Sequence, residues 1–271
     1  MSKAWDLDSI GGLVSKCDGM RAFFRRHTLI AFFVTAFVLS WYPWIIALLR
    51  GRTSGPNPLG PFVAAVIMTA LVSGRSGLRE FFSRLVRWRV GAKPYAIVFL
   101  IPILICLAGG GIILCFASLP STFSIEKLRE VPERFLFIFL FIGLGEEPGW
   151  RGFALPQLQT KYSPLVASLI LGSVWALWHV PLVGNELRWP IIPAFLLSLF
   201  GATFMLTWLF NHTNGSVFLP MLFHATVNTI GAGLIFPLFS GVALIVLWYI
   251  YGVIWLCLGL ATLLFSANRR R

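Results

Sequence analysis

The sequence predicts an all-α, polytopic membrane protein of about eight transmembrane helices around a buried polar site. Hydrophobic residues make up 58% of the chain and charged residues 12%, whereas soluble domains carry about 25% charged residues. The mean hydropathy is +0.83. The apolar stretches are continuous rather than alternating, which favours helices over a β-barrel because a helix satisfies its own backbone groups in lipid.

Eight apolar stretches approach the roughly 20 residues that a helix needs to cross the hydrocarbon core. The first begins after a long basic segment and ends in Arg50, without a small-residue cleavage site, so we interpret it as an anchor rather than a signal peptide. The second is short and is flanked by Gly and Pro. The predicted spans are 28–49, 58–73, 95–118, 134–156, 163–183, 189–210, 215–236 and 240–266.

These spans form a single predicted transmembrane domain, 28–268, between a basic N-terminal segment, 1–27, and a basic tail, 269–271. The connection 74–93 carries apolar residues at helical spacing among arginines: Leu78, Phe81, Phe82, Leu85 and Val86. We expect an amphipathic helix on an anionic leaflet, where it would recruit lipid or substrate. An ordinary solvated basic loop is the alternative.

The net charge of +12 does not indicate nucleic-acid binding, because no basic folded domain carries it. The basic residues instead flank the apolar stretches and are asymmetric. With both termini in the cytoplasm, fifteen Lys and Arg residues lie inside and six lie outside, which are Arg50, Arg52, Lys127, Arg129, Arg134 and Arg188. This bias predicts cytoplasmic termini, membrane lipids as partners and a bacterial or archaeal plasma membrane.

The four cysteines are Cys17, Cys106, Cys115 and Cys257. None has the spacing of a zinc motif, and three lie in apolar stretches, where a free thiol behaves as a small hydrophobe. We expect no structural disulfide.

Ionisable side chains inside the predicted spans are the strongest functional signal. Glu146, Glu147 and Arg151 lie in the fourth span, His179 in the fifth and His224 in the seventh. Charges at such depth cost several kcal/mol and usually mark a functional site. The other eight acidic residues fall in terminal or connecting segments.

Helical spacing groups these side chains. Residues four apart share a helix face, so Glu147 is expected to pair with Arg151, which leaves Glu146 without an intrahelical partner. Asn228 follows His224 by four residues, so both can donate to one point. Trp175 precedes His179 by the same spacing and places an aromatic wall beside the imidazole.

These parts fit a hydrolytic site in which a carboxylate and an imidazole activate water and other donors stabilise an oxyanion. No hydroxyl or thiol nucleophile stands out. Each His or Asn taken alone is equally consistent with an interhelical hydrogen bond. Glu146, Glu147, His179 and His224 could in principle ligate zinc, but no dedicated ligand spacing is present, so no cofactor is favoured.

The motifs resemble those of the CPBP family, which comprises type II CAAX prenyl endopeptidases and bacteriocin-processing (Abi) proteins. Glu146-Glu147-Pro148-Gly149-Trp150-Arg151 matches the family's EExxxR. Trp175-Ala176-Leu177-Trp178-His179 matches FxxxH with Trp in place of Phe, and His224-Ala225-Thr226-Val227-Asn228 matches HxxxN. The resemblance covers about residues 130–235, the predicted catalytic core.

The resemblance implies an eight-helix intramembrane endopeptidase. Glu146 would act with His179 to activate water, His224 and Asn228 would form an oxyanion hole, and Glu147 and Arg151 would orient the site. Implied substrates are membrane-associated proteins, prenylated (CAAX-type) proteins or bacteriocin leaders. The alternatives are a non-catalytic scaffold, immunity or export factor on the same fold, and a proton-coupled transporter, which the lack of matching broken helices in the two halves disfavours.

The depths of Glu146 and His179 pose a geometric constraint. Glu146 lies about 12 residues, or about 18 Å, into its span from the outside, and His179 lies about 16 residues into the next span from the inside. In straight, upright helices these side chains would not meet. We therefore expect the fourth and fifth helices to be offset, tilted or extended, with Gly143-Leu144-Gly145 and Pro148 providing a bend.

Overall fold

The computed structural model describes residues 24, 26–116 and 125–268, which form eight helices joined by short turns. The helices are α1 Thr28–Leu49, α2 Gly60–Leu85, α3 Ala92–Leu114, α4 131–159, α5 Pro164–Trp178, α6 Ile192–His212, α7 Phe218–Ile230 and α8 Gly241–Asn268. Short 3-10 turns precede α4 and flank the connection before α6, and α7 continues through a π-helical turn, Gly231–Ile235, and a 3-10 turn, Phe236–Leu238.

The all-α, polytopic prediction is confirmed. Six described helices are long and apolar enough to cross a membrane, and the part of the chain that the structure describes contains no strand beyond one isolated bridge, Val183–Leu187. The exposed faces are apolar, as lipid requires. On α1, Ile30, Val34 and Val38 are 58–64% exposed, whereas Phe32 and Ala36 are buried.

The predicted count of eight spans is not confirmed, because α4 and α5 are not among these six helices. α5 has only 15 residues, which extend about 22 Å at the α-helical rise. α4 alternates α-helical and π-helical turns and carries Glu146, Glu147 and Arg151 in its middle. Both helices therefore differ from an ordinary membrane span: α5 is short, and α4 carries charged residues in its middle.

The second helix differs from its predicted bounds of 58–73, since α2 continues to Leu85 after a break at Gly74. Gly74 has φ +62° and ψ −152°, a conformation that glycine adopts far more readily than other residues. The chain therefore changes direction there and resumes a helix. The distant Phe62 and Phe81 stack with their ring centroids 6.4 Å apart.

The predicted amphipathic segment 74–93 is helical as far as Leu85 and again from Ala92, where α3 begins. Phe81 and Leu85 are buried against the protein, whereas Phe82 and Val86 are 44% and 70% exposed. The apolar face is thus divided between the protein core and the exposed surface. Residues 86–91 form the irregular basic connection that the alternative prediction described.

Two predictions fall partly outside the described residues. They concern the basic segment 1–27, of which only residues 24, 26 and 27 are described, and the tail 269–271. Residues 117–118 of the third predicted span and Cys17 are also outside. Cys106, Cys115 and Cys257 are free thiols.

Helices α6 and α8 pack at backbone contact through glycines. A Cβ atom on Gly201 would lie 2.2 Å from the carbonyl carbon of Trp255, and one on Gly259 would lie 2.2 Å from the backbone oxygen of Gly201. Small residues permit this approach, which favours helix association in lipid. Trp255, fully buried at this contact, is thereby fixed against the bundle interior.

We predict that Gly201→Ala destabilises the protein, because a backbone contact at 2.2 Å can be relieved only by separating the helices. Such overpacking typically costs about 1–3 kcal/mol. The Tm in detergent should fall. Gly111→Ala is the matched control, since a Cβ atom at Gly111 of α3 would meet nothing within 4 Å. Equal Tm values for the two variants would contradict the close packing.

Candidate active site

The two adjacent glutamates lie in a short α-helical turn, Leu144–Glu147, between two π-helical turns of α4. The π-turns are Ile138–Gly143 and Pro148–Ala154, and such bulges often occur at functional sites. We predicted a bend from the glycines and Pro148. The structure instead has a continuous helix whose widened turns change the direction in which its side chains project.

Glycines let α4 approach the start of α2 and so bury the glutamates. A Cβ atom on Gly145 would lie 2.5 Å from the Pro58 oxygen, and one on Gly149 would lie 2.5 Å from Pro61 Cβ. The resulting contact excludes solvent from this side of α4. Glu146 is 3% exposed and Glu147 is fully buried.

Glu147 is the centre of a buried charge network. Its Oε1 accepts hydrogen bonds from Arg151 Nη1 at 3.1 Å and from His224 Nδ1 at 2.7 Å. The predicted i,i+4 ion pair with Arg151 is therefore confirmed, and the bond to His224 adds α7 to it. Because a carboxylate oxygen accepts, the proton of this bond resides on Nδ1 of His224.

Trp175 contacts four of the ionisable side chains. Its Nε1 donates to Glu146 Oε2 at 2.8 Å, and the Arg151 guanidinium carbon lies 4.3 Å from the centre of its ring. Its ring centroid is 5.4 Å from that of His179 and 5.7 Å from that of His224. The sequence predicted an aromatic wall at this position but missed the hydrogen bond, which the indole of a Trp provides and a Phe would lack.

His179 follows the last residue of α5, and its tautomer is fixed by the backbone. Its Nδ1 lies 2.7 Å from the Trp175 carbonyl oxygen. A carbonyl only accepts, so Nδ1 carries the proton and Nε2 of the neutral ring has a free lone pair. The rings of Trp178 and Phe195, with centroids 5.0 and 5.2 Å away, hold the imidazole edge-on.

One cavity of about 430 Å³ brings the predicted residues together: its lining includes Glu146, Trp175, His179, His224 and Asn228. Glu147 and Arg151 lie behind this lining, against His224 and Trp175. In straight helices Glu146 and His179 were expected to lie at different depths. In the structure α5 ends at Trp178 and π-turns widen α4 beside Glu146, so both side chains reach the cavity. Both glutamates and both histidines therefore meet within one polar centre.

Other lining residues were not singled out by the sequence, and some of them lie outside the predicted core of 130–235. Trp248, Tyr251 and Trp255 of α8 project onto the cavity from one helix face. Gly55, Pro56 and Pro58 precede α2, and Glu186 lies in the connection between α5 and α6. The only available signal was the spacing of the α8 aromatics, which is equally typical of a lipid-facing or core helix.

A zinc site requires a convergent group of His, Cys, Asp or Glu side chains. Within the described ranges, no group of three or more His, Cys, Asp or Glu side chains is placed to hold a metal. Glu147 Oε1 is already engaged by two nitrogen donors. Glu146, Glu147, His179 and His224, the residues predicted as possible ligands, form no such group in the described part of the chain.

Comparison with known proteins finds one matching family and one similar curated protein. The family profile "Type II CAAX prenyl endopeptidase Rce1-like" matches residues 130–230. Over these residues the chain is similar to that family. A protein named "CAAX prenyl protease 2" from Methanococcus maripaludis is 26% identical over 220 residues, which cover 73% of this chain and 81% of that protein.

All three motifs lie inside the Rce1-like region, from Glu146 to Asn228. The resemblance inferred from those motifs is thus confirmed at the level of the family. The α8 aromatics and the connection before α2, which complete the cavity wall, lie outside this region. The cavity is therefore assembled from the Rce1-like region together with flanking parts of the chain.

We predict that Arg151→Met strongly destabilises the protein, because Glu147 would be left as a buried charge with its cation removed. Breaking a buried pair from one side typically costs about 3–5 kcal/mol. Arg134→Met is the control, since Arg134 pairs with Glu130 at the same i,i+4 spacing but both side chains are exposed. Thermal melts in detergent that gave the same Tm for both variants would contradict the role of burial.

Proposed function

We propose that this protein is an intramembrane endopeptidase that hydrolyses a peptide bond of a membrane-associated protein by means of activated water. The observation that carries the proposal is that Glu146, His179, His224 and Asn228 line one cavity. The similarity to the type II CAAX prenyl endopeptidase family and to the relative named CAAX prenyl protease 2 supports it. A protease also explains why two carboxylates are retained inside an apolar bundle, since such charges usually serve function.

Glu146 and His179 are the groups assigned to activate water. With Oε2 held by Trp175, Oε1 of Glu146 is the atom assigned to accept a proton from water. Nε2 of His179, whose proton lies on Nδ1, accepts a hydrogen bond from the same water. The hydroxide attacks the carbonyl carbon of the scissile bond, and the proton on Glu146 then passes to the departing amine nitrogen.

His224 and Asn228 are assigned to stabilise the oxyanion. Because Nδ1 of His224 is bonded to Glu147, Nε2 donates when the ring is doubly protonated, with Glu147 as its counter-ion. The Asn228 amide, one helical turn further on, supplies the second donor. A single donor of this kind typically contributes about 3–4 kcal/mol of transition-state stabilisation.

Glu147, Arg151 and Trp175 are assigned as positioning residues. Glu147, paired with Arg151, accepts a hydrogen bond from His224, and Trp175 donates one to Glu146. The rest of the cavity wall is largely apolar, with Phe195, Leu199, Phe236 and Trp248 among its residues. This lining is compatible with a lipid-modified peptide, such as the prenylated (CAAX-type) substrate that the relative's name implies. The proposal requires no cofactor, and its partners are membrane lipids and the substrate.

We predict that Glu146→Gln abolishes cleavage of quenched-fluorescent peptides, prenylated or plain, by the protein purified in nanodiscs. The amide keeps the shape of the side chain but cannot accept the proton from water. Glu133→Gln is the matched control, since Glu133 is an exposed glutamate at the start of the same helix. Equal Tm values for the two variants would show that the loss is chemical.

Two outcomes would count against the proposal. Cleavage that persists in Glu146→Gln would remove the assigned base, and biological activity that persists in that variant without cleavage would favour a scaffold. A chelator arm tests the chemistry separately: we expect activity to survive chelation, whereas loss of activity that zinc restores would indicate metal dependence.

We predict that Trp175→Phe lowers kcat while the fold and KM change little, because it removes only the donor to Glu146 Oε2. A hydrogen bond to a charged group contributes about 1.5–3 kcal/mol, which corresponds to a loss of at least about tenfold in kcat. Trp189→Phe, at a Trp that is 73% exposed, is the control. An unchanged kcat in Trp175→Phe would show that the indole hydrogen bond does not position Glu146.

A further inference from the structure

We propose that Glu186 determines substrate specificity by binding a basic side chain, Lys or Arg, of the peptide segment that enters the cavity. The proposal rests on the proposed endopeptidase function, because it names a further residue of the same cavity. Glu186 takes no part in the chemistry assigned to hydrolysis. Binding of the basic side chain can be measured without cleavage, so the two proposals can be tested separately.

The cavity is lined by two carboxylates, those of Glu146 and Glu186, and by no Lys or Arg among the described residues. The cations of the polar centre do not balance these carboxylates, since both Arg151 and His224 are bonded to Glu147. A cleft lined by charges of one sign attracts ligands of the opposite sign. The lining therefore favours a substrate segment that carries a positive charge.

Glu186 is accessible to a substrate, because it is both exposed and part of the cavity lining. Within the part of the chain that the structure describes, no basic side chain forms an ion pair with it, and Arg188, two residues further on, does not pair with it either. Glu80 and Glu130 are also exposed, but each pairs with an arginine of its own segment. Glu186 thus keeps a charge that a substrate cation can reach.

A compact turn fixes the position of Glu186 relative to the catalytic residues. Leu187 N donates to the Leu182 carbonyl oxygen, and Gly184 N donates to the Leu187 carbonyl oxygen, both at 2.9 Å. Gly184 has φ +84°, which glycine adopts readily. Leu182 N donates to the His179 carbonyl oxygen at 2.9 Å, which ties the turn to the end of α5. A backbone held in this way loses less conformational freedom when a ligand binds.

The connection between α1 and α2 lies against the same turn. A Cβ atom on Gly55 would lie 3.1 Å from Leu182 Cδ2 and 3.9 Å from Glu186 Oε1. One oxygen of the carboxylate is therefore close to the backbone of this connection, which excludes water from that side. Partial exclusion of water strengthens the attraction between a carboxylate and a cation.

The chemistry of the site favours a basic side chain over a metal ion. Glu186 supplies a single carboxylate, which is sufficient for an ion pair, whereas Ca²⁺ takes 6–8 oxygen ligands. The long stems of Lys and Arg pack along apolar surface while they hold the charge away from the backbone. Because Glu146 and Glu186 line one cavity of about 430 Å³, the basic residue must lie near the bond that is cleaved.

Peptide binding tests the proposal in the full-length Glu146→Gln variant, in which Glu186 is the remaining carboxylate of the lining. The variant is placed in phosphatidylcholine nanodiscs, and fluorescent peptides carry either Arg or citrulline, its uncharged analogue, at one position that is moved along the segment. At one position we expect the Arg peptide to bind about threefold to fivefold more tightly than the citrulline peptide. Adding Glu186→Gln should abolish this difference. Adding Glu133→Gln, at an exposed glutamate outside the lining, should preserve it.

Cleavage kinetics of the otherwise unmodified protein give a second readout. The Arg peptide should have a KM about threefold to fivefold below that of the citrulline peptide, with the same kcat. Glu186→Lys should transfer the preference to a peptide with Glu at that position. The preference should weaken at high salt, because the ion pair is partly exposed. Equal Tm values for Glu186→Gln and Glu133→Gln would show that the change is not caused by unfolding.

The outcomes separate the two proposals. Equal affinity for Arg and citrulline at every position, the absence of binding, or a preference for Arg that survives Glu186→Gln would overturn the assignment of Glu186. Selective binding of the Arg peptide without cleavage of any peptide would support Glu186 as a binding residue and overturn the endopeptidase function.

Discussion

The hydrogen bonds from Arg151 and His224 to one oxygen of Glu147 are the interaction on which the rest of the site depends. A carboxylate buried in an apolar bundle is strongly destabilising unless a cation and hydrogen bonds balance it. Arg151 does so from the same helix, and His224 does so from α7. Because both donors must reach Oε1, the rotation of α4 and the register of α7 are fixed together. Asn228, one turn beyond His224, is then directed to the same cavity.

The adjacent glutamates consequently differ in what they can do. Glu147 is fully buried and has its accepting oxygen occupied by two donors, so it is suited to hold charge and geometry. Glu146 lines the cavity, and the bond assigned to it comes from the neutral indole of Trp175. A neutral donor orients a carboxylate without pairing its charge. Glu146 is therefore the member of the pair that is suited to exchange a proton with water.

The sequence predicted best what depends on neighbouring residues along the chain. The bounds of α1 agree with the predicted 28–49, because an uninterrupted apolar stretch ends at an arginine, and the Glu147–Arg151 pair follows from helical spacing. The course of α2 did not follow, because Gly74 adopts a positive φ that composition does not reveal. The bond from Trp175 to Glu146 joins two helices and required their packing. Trp248, Tyr251 and Trp255 were missed because an aromatic residue in an apolar stretch carries no mark of facing a cavity.

The basic connection 84–93 and the cavity-lining residues that precede α6 lie at opposite ends of α6. The connection 84–93 is tied to the loop after α6, whereas the cavity opens beside the residues that precede α6. His224, which contacts Glu147, lies seven residues after Val217, so the charges assigned to hydrolysis are about 10 Å along α7 from the basic connection. Screening by head groups and salt acts on the basic surface, but the apolar bundle around Glu147 and Arg151 keeps the site largely free of it.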